Sequence, residues 1–103
     1  MKQISSKLLM VIAGTVLATV TMAYAYTGQE LAPAAKISIG EARSIALHAF
    51  PGKIVSEELE QERGGSGLRY SFDIRHGKVV QEVGVDAVSG KVLENDPEGP
   101  HPD

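Results

Sequence analysis

The side chains best suited to chemistry are the carboxylates of one short stretch. Glu57, Glu58, Glu60 and Glu62 lie close together in the sequence, and in an extended strand Glu58, Glu60 and Glu62 share one face, because side chains alternate with a period of two. Such a strip could bind a cation or dock a partner. A solvated sheet face is the simpler interpretation, because three carboxylates on a flat surface lack the wrapped geometry that a hard cation prefers. We therefore predict no metal site here.

The other reactive side chains form no recognisable catalytic or metal-binding motif. His48, His76 and His101 are far apart, and the sequence contains no cysteine and no G-x-S-x-G motif. Asp73 and Glu82 are candidates for a catalytic pair of carboxylates, but we expect both on an exposed sheet face rather than in a cleft. The sequence thus predicts no catalytic residue, no metal and no cofactor.

A hairpin at residues 79–93 is the strongest structural pattern. Apolar and polar residues alternate through V-V-Q-E-V-G-V-D and continue after A-V-S-G at K-V-L. Asp86 and Ser89 can hydrogen-bond to the local backbone, and Gly90 can adopt a positive φ. The three residues are therefore predicted to form a structural turn rather than an active site.

A helix is predicted over residues 39–49. Ser38 and Glu41 have the spacing of a capping box, and an apolar stripe follows with helical spacing at Ala42, Ile45, Ala46 and Ala49. Pro51 ends the pattern, because the residue before a proline avoids helical geometry.

Two further strands lie between this helix and the hairpin, before and after Gly64–Gly67. A two-residue turn at His76-Gly77 would set Tyr70 opposite Val83, and a four-residue turn at Gly64–Gly67 would set Phe72 opposite Leu59, with a bulge or slip in the first strand left open. The predicted core face, covered by the helix, consists of Leu59, Leu68, Tyr70, Phe72, Ile74, Val79, Val83, Val85 and Val92. The predicted fold is therefore α+β, with one helix on a meander of three to four antiparallel strands.

The N-terminus has the pattern of a secretory signal peptide, residues 1–25. Lys2 and Lys7 flank a short basic region, and an uncharged, largely apolar run follows from Leu8 to Met22. The next three residues, Ala23-Tyr24-Ala25, form a small-x-small cleavage site. Its removal lowers the basic residues from 10 to 8 and leaves all 13 acidic ones, a net charge of −5. We therefore expect a periplasmic or secreted protein that does not bind nucleic acid and that meets the membrane only during export.

The mature chain is expected to contain one small domain. Residues 26–36 are predicted to be a linker, residues 37–94 the folded domain, and residues 95–103 a disordered tail, since the tail has no apolar residue apart from its prolines.

The order of these motifs resembles the PepSY domain. The chain has I-S-I-x-E-A on the helix, then Pro51-Gly52, an E-L-E-x-E strand, a Y-x-F-x-I strand and V-x-V-D-A-x-S-G-K-V-L, with Ser89 where the family often has threonine. The resemblance covers about residues 37–93. It implies a non-catalytic module of the bacterial cell envelope that inhibits or modulates peptidases, as proposed for this family.

The predicted partner-binding surface lies on the face opposite the helix. Two apolar residues there, Val80 and Leu93, accompany the acidic residues Glu58, Glu60, Glu62 and Glu82. The partner is expected to be a peptidase or another envelope protein. Two alternatives stay open: an envelope sensor that responds to a ligand or cation through residues 57–62, and a structural domain that self-associates as a homodimer.

Overall fold

A four-stranded antiparallel sheet with one α-helix on one face makes up residues 25–98, which the computed structural model describes. The elements in chain order are a 3₁₀ helix at Gln29–Ala34, α1 at Ile39–Ala49, β1 at Lys53–Gln61, β2 at Leu68–His76, β3 at Val79–Asp86 and β4 at Val92–Pro97. The strands lie in the sheet in chain order, which confirms the predicted α+β fold. Residues 1–24 of the predicted signal peptide and residues 99–103 of the predicted tail, which include His101, lie outside the described residues. Within residues 25–98, no helix has the length and apolar character needed to cross a membrane.

α1 begins and ends at the predicted residues. The Ser38 hydroxyl accepts a hydrogen bond from the Glu41 amide at 3.1 Å, and the Glu41 carboxylate accepts one from the Ser38 amide at 3.0 Å. This capping box satisfies two amides at the start of the helix. Phe50, which precedes Pro51, is extended with a φ of −146°, and the helix ends there.

The core lies between α1 and the inner face of the sheet. Ala42 and Ala46 are fully buried, and their small side chains allow the helix to pack closely. The sheet contributes Leu59, Leu68, Tyr70, Phe72, Ile74, Val83, Val85 and Ala87. The Tyr70 hydroxyl also donates a hydrogen bond to the Ile37 carbonyl at 2.9 Å, which ties the segment before α1 to the middle of the sheet.

The β2–β3 register differs from the prediction by two residues. The turn consists of Gly77 and Lys78 rather than His76 and Gly77, so that Tyr70 lies opposite Val85. Gly77 has a φ of 64°, and glycine at the first central position is what a type II′ turn requires.

The β1–β2 register differs by two residues as well. Residues 62–67 connect the two strands, and Leu59 lies opposite Tyr70. The pairing shifts between Ile54 and Ser56, which is the irregularity that the sequence left open. Between β2 and β3, and for residues 56–61 of β1, the difference in register is an even number of residues, so the predicted core residues of these strands keep their predicted face. Between β3 and β4, Val85 lies opposite Val92 as predicted.

Two residues predicted to be in the core are partly exposed. Val79 is 47% exposed and Val92 is 42% exposed. α1 has 11 residues and is therefore about 16 Å long, whereas eight residues of strand, as in β3, extend about 27 Å. The helix covers only part of the inner face, so Val79, at the hairpin end of β3, and Val92, on the edge strand, lie outside the full core.

β4 corrects the predicted boundary of the disordered tail at residue 95. The strand continues through Pro97, and Asp96 pairs with Glu82. A proline is tolerated here because β4 is an edge strand and does not need every amide for pairing.

The predicted linker, residues 26–36, is attached to the edge of the sheet and contains the 3₁₀ helix. Thr27 forms a parallel bridge with Glu58, and its carbonyl accepts a hydrogen bond from the Leu59 amide at 2.8 Å. Gly28 has a φ of 84°, and a Cβ added to it would lie 1.8 Å from the Leu59 carbonyl oxygen. Glycine therefore allows this segment to approach β1 closely.

The turn between β3 and β4 is organised by the Asp86 carboxylate, which is 1% exposed. It accepts hydrogen bonds from the amides of Val88 and Ser89 at 2.8 and 3.1 Å. Ser66 donates to it from both its amide, at 2.6 Å, and its hydroxyl, at 2.9 Å. Burial alone would raise the pKa of Asp86, but these hydrogen bonds favour the charged form and lower the pKa to about 2.

Ala87 connects this turn to the start of α1. Its amide donates to the Leu68 carbonyl at 2.9 Å, and its carbonyl accepts from the amides of Lys36 and Ile37 at 2.9 and 3.1 Å. The position of the turn therefore also sets the position of the segment that enters the helix.

Replacing Gly28 with alanine should release the N-terminal segment from β1. We expect hydrogen-exchange protection of the Leu59 amide to fall by about tenfold or more, because the added Cβ cannot fit beside the Leu59 carbonyl. Gly77→Ala is the matched control: its φ is also positive, but no atom lies within 4 Å of the added Cβ, so it incurs only the left-handed backbone cost of about 1 kcal/mol. Equal protection of Leu59 in the two variants would contradict the close approach.

Replacing Asp86 with asparagine should destabilise the protein by about 2 kcal/mol at neutral pH, the typical contribution of hydrogen bonds to a charged group. The folded-state pKa is about 2 and the ordinary value is 3.8, so this stabilisation is complete above the ordinary pKa and is lost as the pH falls through the folded-state value. Urea unfolding of wild type and variant, from neutral pH to pH about 2, measures the difference. Glu30→Gln, which removes one charge at an exposed residue of the 3₁₀ helix, is the control. A difference between wild type and Asp86→Asn that stayed constant with pH would exclude the buried charge as its cause.

Candidate functional site on the open face of the sheet

The face of the sheet that α1 does not cover, which we call the open face, is rich in acidic side chains. Alternation along each strand and the observed registers define its members. They include Lys53, Ser56, Glu58 and Glu60 from β1, Arg69, Ser71, Asp73 and Arg75 from β2, Val80, Glu82 and Gly84 from β3, and Glu94 and Asp96 from β4. Two of its three basic residues, Lys53 and Arg75, lie opposite each other at one end. The middle of the face therefore contains more acidic than basic side chains and is negative.

Three carboxylates lie side by side across this middle region. Asp73 is paired with Glu82 across β2 and β3, and Glu82 is paired with Asp96 across β3 and β4. Like charges directly opposite each other destabilise a sheet. Partial burial raises the pKa of Glu82, and the charges of Glu94 and Asp73 raise it further. The folded protein thus retains an unfavourable charge arrangement on a face that no described helix covers.

Glu60 has a raised pKa for a similar reason. Burial is the largest cause and outweighs the hydrogen bond that the Ser71 hydroxyl donates to the Glu60 carboxylate at 2.8 Å. The neighbouring carboxylates of Glu62 and Glu58 raise the pKa further. Among the described residues, Glu58 and Glu60 have no ion pair within 4.0 Å. The acidic strip found in the sequence is therefore crowded in the folded protein.

Arg69 lies among these carboxylates and is only 8% exposed. Its guanidinium contacts the carboxylates of Glu94 at 3.3 Å and Glu62 at 3.7 Å, and donates to the Arg63 carbonyl at 3.0 Å. Its Nε is buried and has no hydrogen-bond partner among residues 25–98. These contacts join the loop after β1 to β4, and they leave the Asp73, Glu82 and Asp96 row without an ion pair within 4.0 Å in the described chain.

Arg69 can lie flat on the sheet because Gly84 has no side chain. A Cβ added to Gly84 would lie 2.9 Å from Cδ of Arg69. The alternating pattern of β2 does not reveal the burial of Arg69, because arginine in a strand is ordinarily exposed. A glycine in the interior of a strand often marks a close approach of another group, and Gly84 was the signal that could have revealed it.

The acidic residues predicted to bind a partner lie at two kinds of position. Glu58, Glu60 and Glu82 share the open face, whereas Glu62 follows the end of β1 and has a side chain that is 49% exposed. Glu58 lies opposite Ser71 and not opposite an acidic residue of β2. The open face therefore brings together most of the acidic set.

The two predicted apolar contact residues do not meet. Val80 lies opposite Arg75, near the β2–β3 turn. Leu93 lies at the irregular pairing near the start of β4, and a Cβ added to Gly65 would lie 2.9 Å from its Cδ1. They flank the carboxylate row from opposite ends of the face and do not form a single apolar patch.

The histidines are dispersed in the structure as well. His48 is exposed on α1, and the ring of His76, at the end of β2, meets the Phe50 ring edge-on at a centroid distance of 6.2 Å. Within residues 25–98, no three His, Cys, Asp or Glu side chains form a group that could hold a metal ion. Asp73 and Glu82, the pair of carboxylates considered above, lie on the open face rather than in a cleft.

The predicted turn residues act on the backbone away from this row. Asp86 accepts the hydrogen bonds described above, the Ser89 hydroxyl accepts one from the Lys91 amide at 3.2 Å, and Gly90 has a φ of 80°.

Residues 36–96 match the family model of PepSY, described as peptidase propeptide and YPEB domain. The matched residues contain α1, β1, β2 and β3 entirely and nearly all of β4. Comparisons with curated proteins and with solved structures gave no match. The family match covers more than half of the 103 residues and coincides with the helix and sheet described above. The chain therefore belongs to the PepSY family.

Proposed function

We propose that this PepSY protein is an exported, non-catalytic module that binds a protein in the bacterial cell envelope and modulates peptidase activity there. PepSY domains are generally non-catalytic and occur in exported proteins, and the family's description links them to peptidase propeptides. The observation that carries the proposal is the open face, where the carboxylates of Asp73, Glu82 and Asp96 lie side by side and no element of residues 25–98 covers them.

A partner with a basic surface fits this face. Lysine or arginine side chains placed over Asp73, Glu82 and Asp96 would replace repulsion between like charges with attraction. Such attraction speeds association and is screened by salt over a Debye length of about 8 Å at physiological ionic strength. Binding is therefore expected to weaken as salt is added.

Modulation of a peptidase requires no catalytic residue in this domain. A bound module changes the activity of its partner by covering the substrate groove or by stabilising one conformation. The sheet provides a rigid surface for this purpose, because its other face is anchored to the core through Tyr70, Phe72 and Val83.

Affinity capture from an envelope extract tests the proposed function. Wild-type protein should recover a peptidase and change its rate of substrate cleavage, whereas Glu82→Lys should recover much less, because it places a cation in the centre of the acidic row. Glu30→Lys is the matched control, since it makes the same charge change at an exposed residue of the 3₁₀ helix. Recovery of no peptidase by wild type, or equal recovery by Glu82→Lys, would refute the proposal.

Glu82→Gln should stabilise the protein at neutral pH while weakening the partner complex. The pKa of Glu82 is raised in the folded state, so ionisation of this carboxyl opposes folding. The contribution of protonated Glu82 to the free energy of unfolding is fully present below the ordinary pKa and is lost as the pH rises through the folded-state pKa. Removing the charge should add roughly 0.5 kcal/mol at neutral pH, with no gain in acid, where Glu82 is protonated. Urea unfolding at both pH values checks the prediction, with Glu30→Gln as the control. A destabilised Glu82→Gln variant at neutral pH would show that the row is not repulsive.

A further inference from the structure

β4 forms one edge of the sheet, and within residues 25–98 no strand pairs with its outer side. Directly after the strand, the Glu98 amide donates to the Val80 carbonyl of β3 at 2.8 Å. Backbone groups point alternately to the two sides of a strand, so the amide of Asp96 also faces β3, whereas the amide and the carbonyl of Asn95 face outward. Pro97 offers only a carbonyl on that side. Unpaired edge backbone of this kind is a template for a further strand.

An apolar groove of about 400 Å³ lies between α1 and the start of this edge. It is lined by Ser44, Ile45, His48 and Ala49 of α1 and by Val92 of β4. Val92 is 42% exposed, because the helix does not cover it fully. A free backbone edge and a side-chain groove therefore occur together, which is the combination that peptide recognition by strand addition uses.

The other side of the same edge is acidic. Glu94 and Asp96 lie on the open face, and Asp96 is paired with Glu82 of β3. The Arg69 guanidinium is shared between Glu94 and Glu62, whereas Asp96 has no ion pair within 4.0 Å among the described residues. A lysine or arginine side chain beside Asp96 would therefore gain attraction without displacing an existing ion pair.

The same charges make a second copy of the chain a poor occupant of this edge. Antiparallel pairing of two β4 strands, centred on Asn95, would set Glu94 of one copy opposite Asp96 of the other, and like charges in that position are destabilising. The free N-terminal half of β1 is in turn a poor place for a basic segment, since Lys53 lies there with Arg75 opposite it. The charges thus favour a basic segment of another protein, and they favour it at β4.

We infer that the outer side of β4 binds an extended segment of the partner protein in which apolar and basic residues alternate. Alternate side chains of the added strand point to opposite faces, so the apolar ones enter the groove beside Val92 and the basic ones lie beside Glu94 and Asp96. Main-chain hydrogen bonds to Asn95 and Pro97 provide affinity, and the two rows of side chains provide selectivity. The inference rests on the proposed function and specifies the kind of segment that the partner supplies.

Hydrogen exchange measured by NMR with two synthetic peptides tests the inference. The protein is produced from the full-length chain, and its N-terminus is identified by mass spectrometry. One peptide alternates valine with lysine, and a second of equal length alternates valine with glutamate. The valine–lysine peptide should increase the protection of the Asn95 amide about tenfold and leave the amides of residues 53–56, on the other edge, unchanged. The valine–glutamate peptide should give no protection.

Two pairs of matched variants test the two rows of side chains. Asp96→Asn should weaken binding of the valine–lysine peptide several-fold, whereas Glu30→Gln, which removes one charge from the 3₁₀ helix, should leave it unchanged. Val92→Thr, which places a hydroxyl in the groove, should also weaken binding several-fold, whereas Val55→Thr, at a valine of β1 that is 43% exposed, should not. Equal binding of both peptides, equal binding by the two members of either pair, protection of residues 53–56 instead of Asn95, or no binding would overturn the inference.

Protection of the Asn95 amide without peptide would assign the edge to another occupant and would also overturn the inference. Protection that rises with protein concentration would point to a second copy of the chain, and protection independent of concentration would point to a part of the chain outside residues 25–98. These results leave the proposed function standing as long as wild type still captures a peptidase that Glu82→Lys loses, so the two failures are distinguishable.

Discussion

The buried carboxylate of Asp86 connects the parts of this fold that are distant in sequence. It is charged, almost inaccessible to water, and satisfied by Ser66, Val88 and Ser89. A buried charge without such donors would cost several kcal/mol, on the order of a large part of a small domain's stability. The loop and the turn that supply these donors must therefore form together. A Cβ added to Gly65 would lie 2.1 Å from Oδ2 of Asp86, so the loop is also shaped around this carboxylate.

The face that each strand presents to the helix could be predicted from the sequence, whereas most of the strand partners could not. Alternation of apolar and polar residues places Phe72, Val83 and Val85 on one face, and an even-numbered slip leaves that alternation unchanged. The position of glycine within the two-residue turn accompanies the register, and glycine suits either central position of such a turn, so the sequence alone does not decide between the two registers. Register in turn decides which carboxylates meet, so the pairing of Asp73 with Glu82 emerged only from the structure.

Two other differences from the sequence analysis have three-dimensional causes. The exposure of Val79 depends on the length of α1 relative to the strands it covers, which alternation does not encode. The burial of Arg69 depends on the space above Gly84 and on carboxylates contributed by β4 and the loop after β1. In both cases the pattern of a single strand did not decide the exposure of the residue, because a neighbouring element did.

The open face is where the stability of the domain and the proposed binding of a partner oppose each other. The pairing of Asp73 with Glu82 and of Glu82 with Asp96 places like charges side by side, which costs the isolated domain stability. The same row would attract lysine or arginine side chains of a partner. Charge alone discriminates poorly between shapes, so a partner of the proposed kind would also have to fit between the basic end of the face, at Lys53 and Arg75, and the buried Arg69.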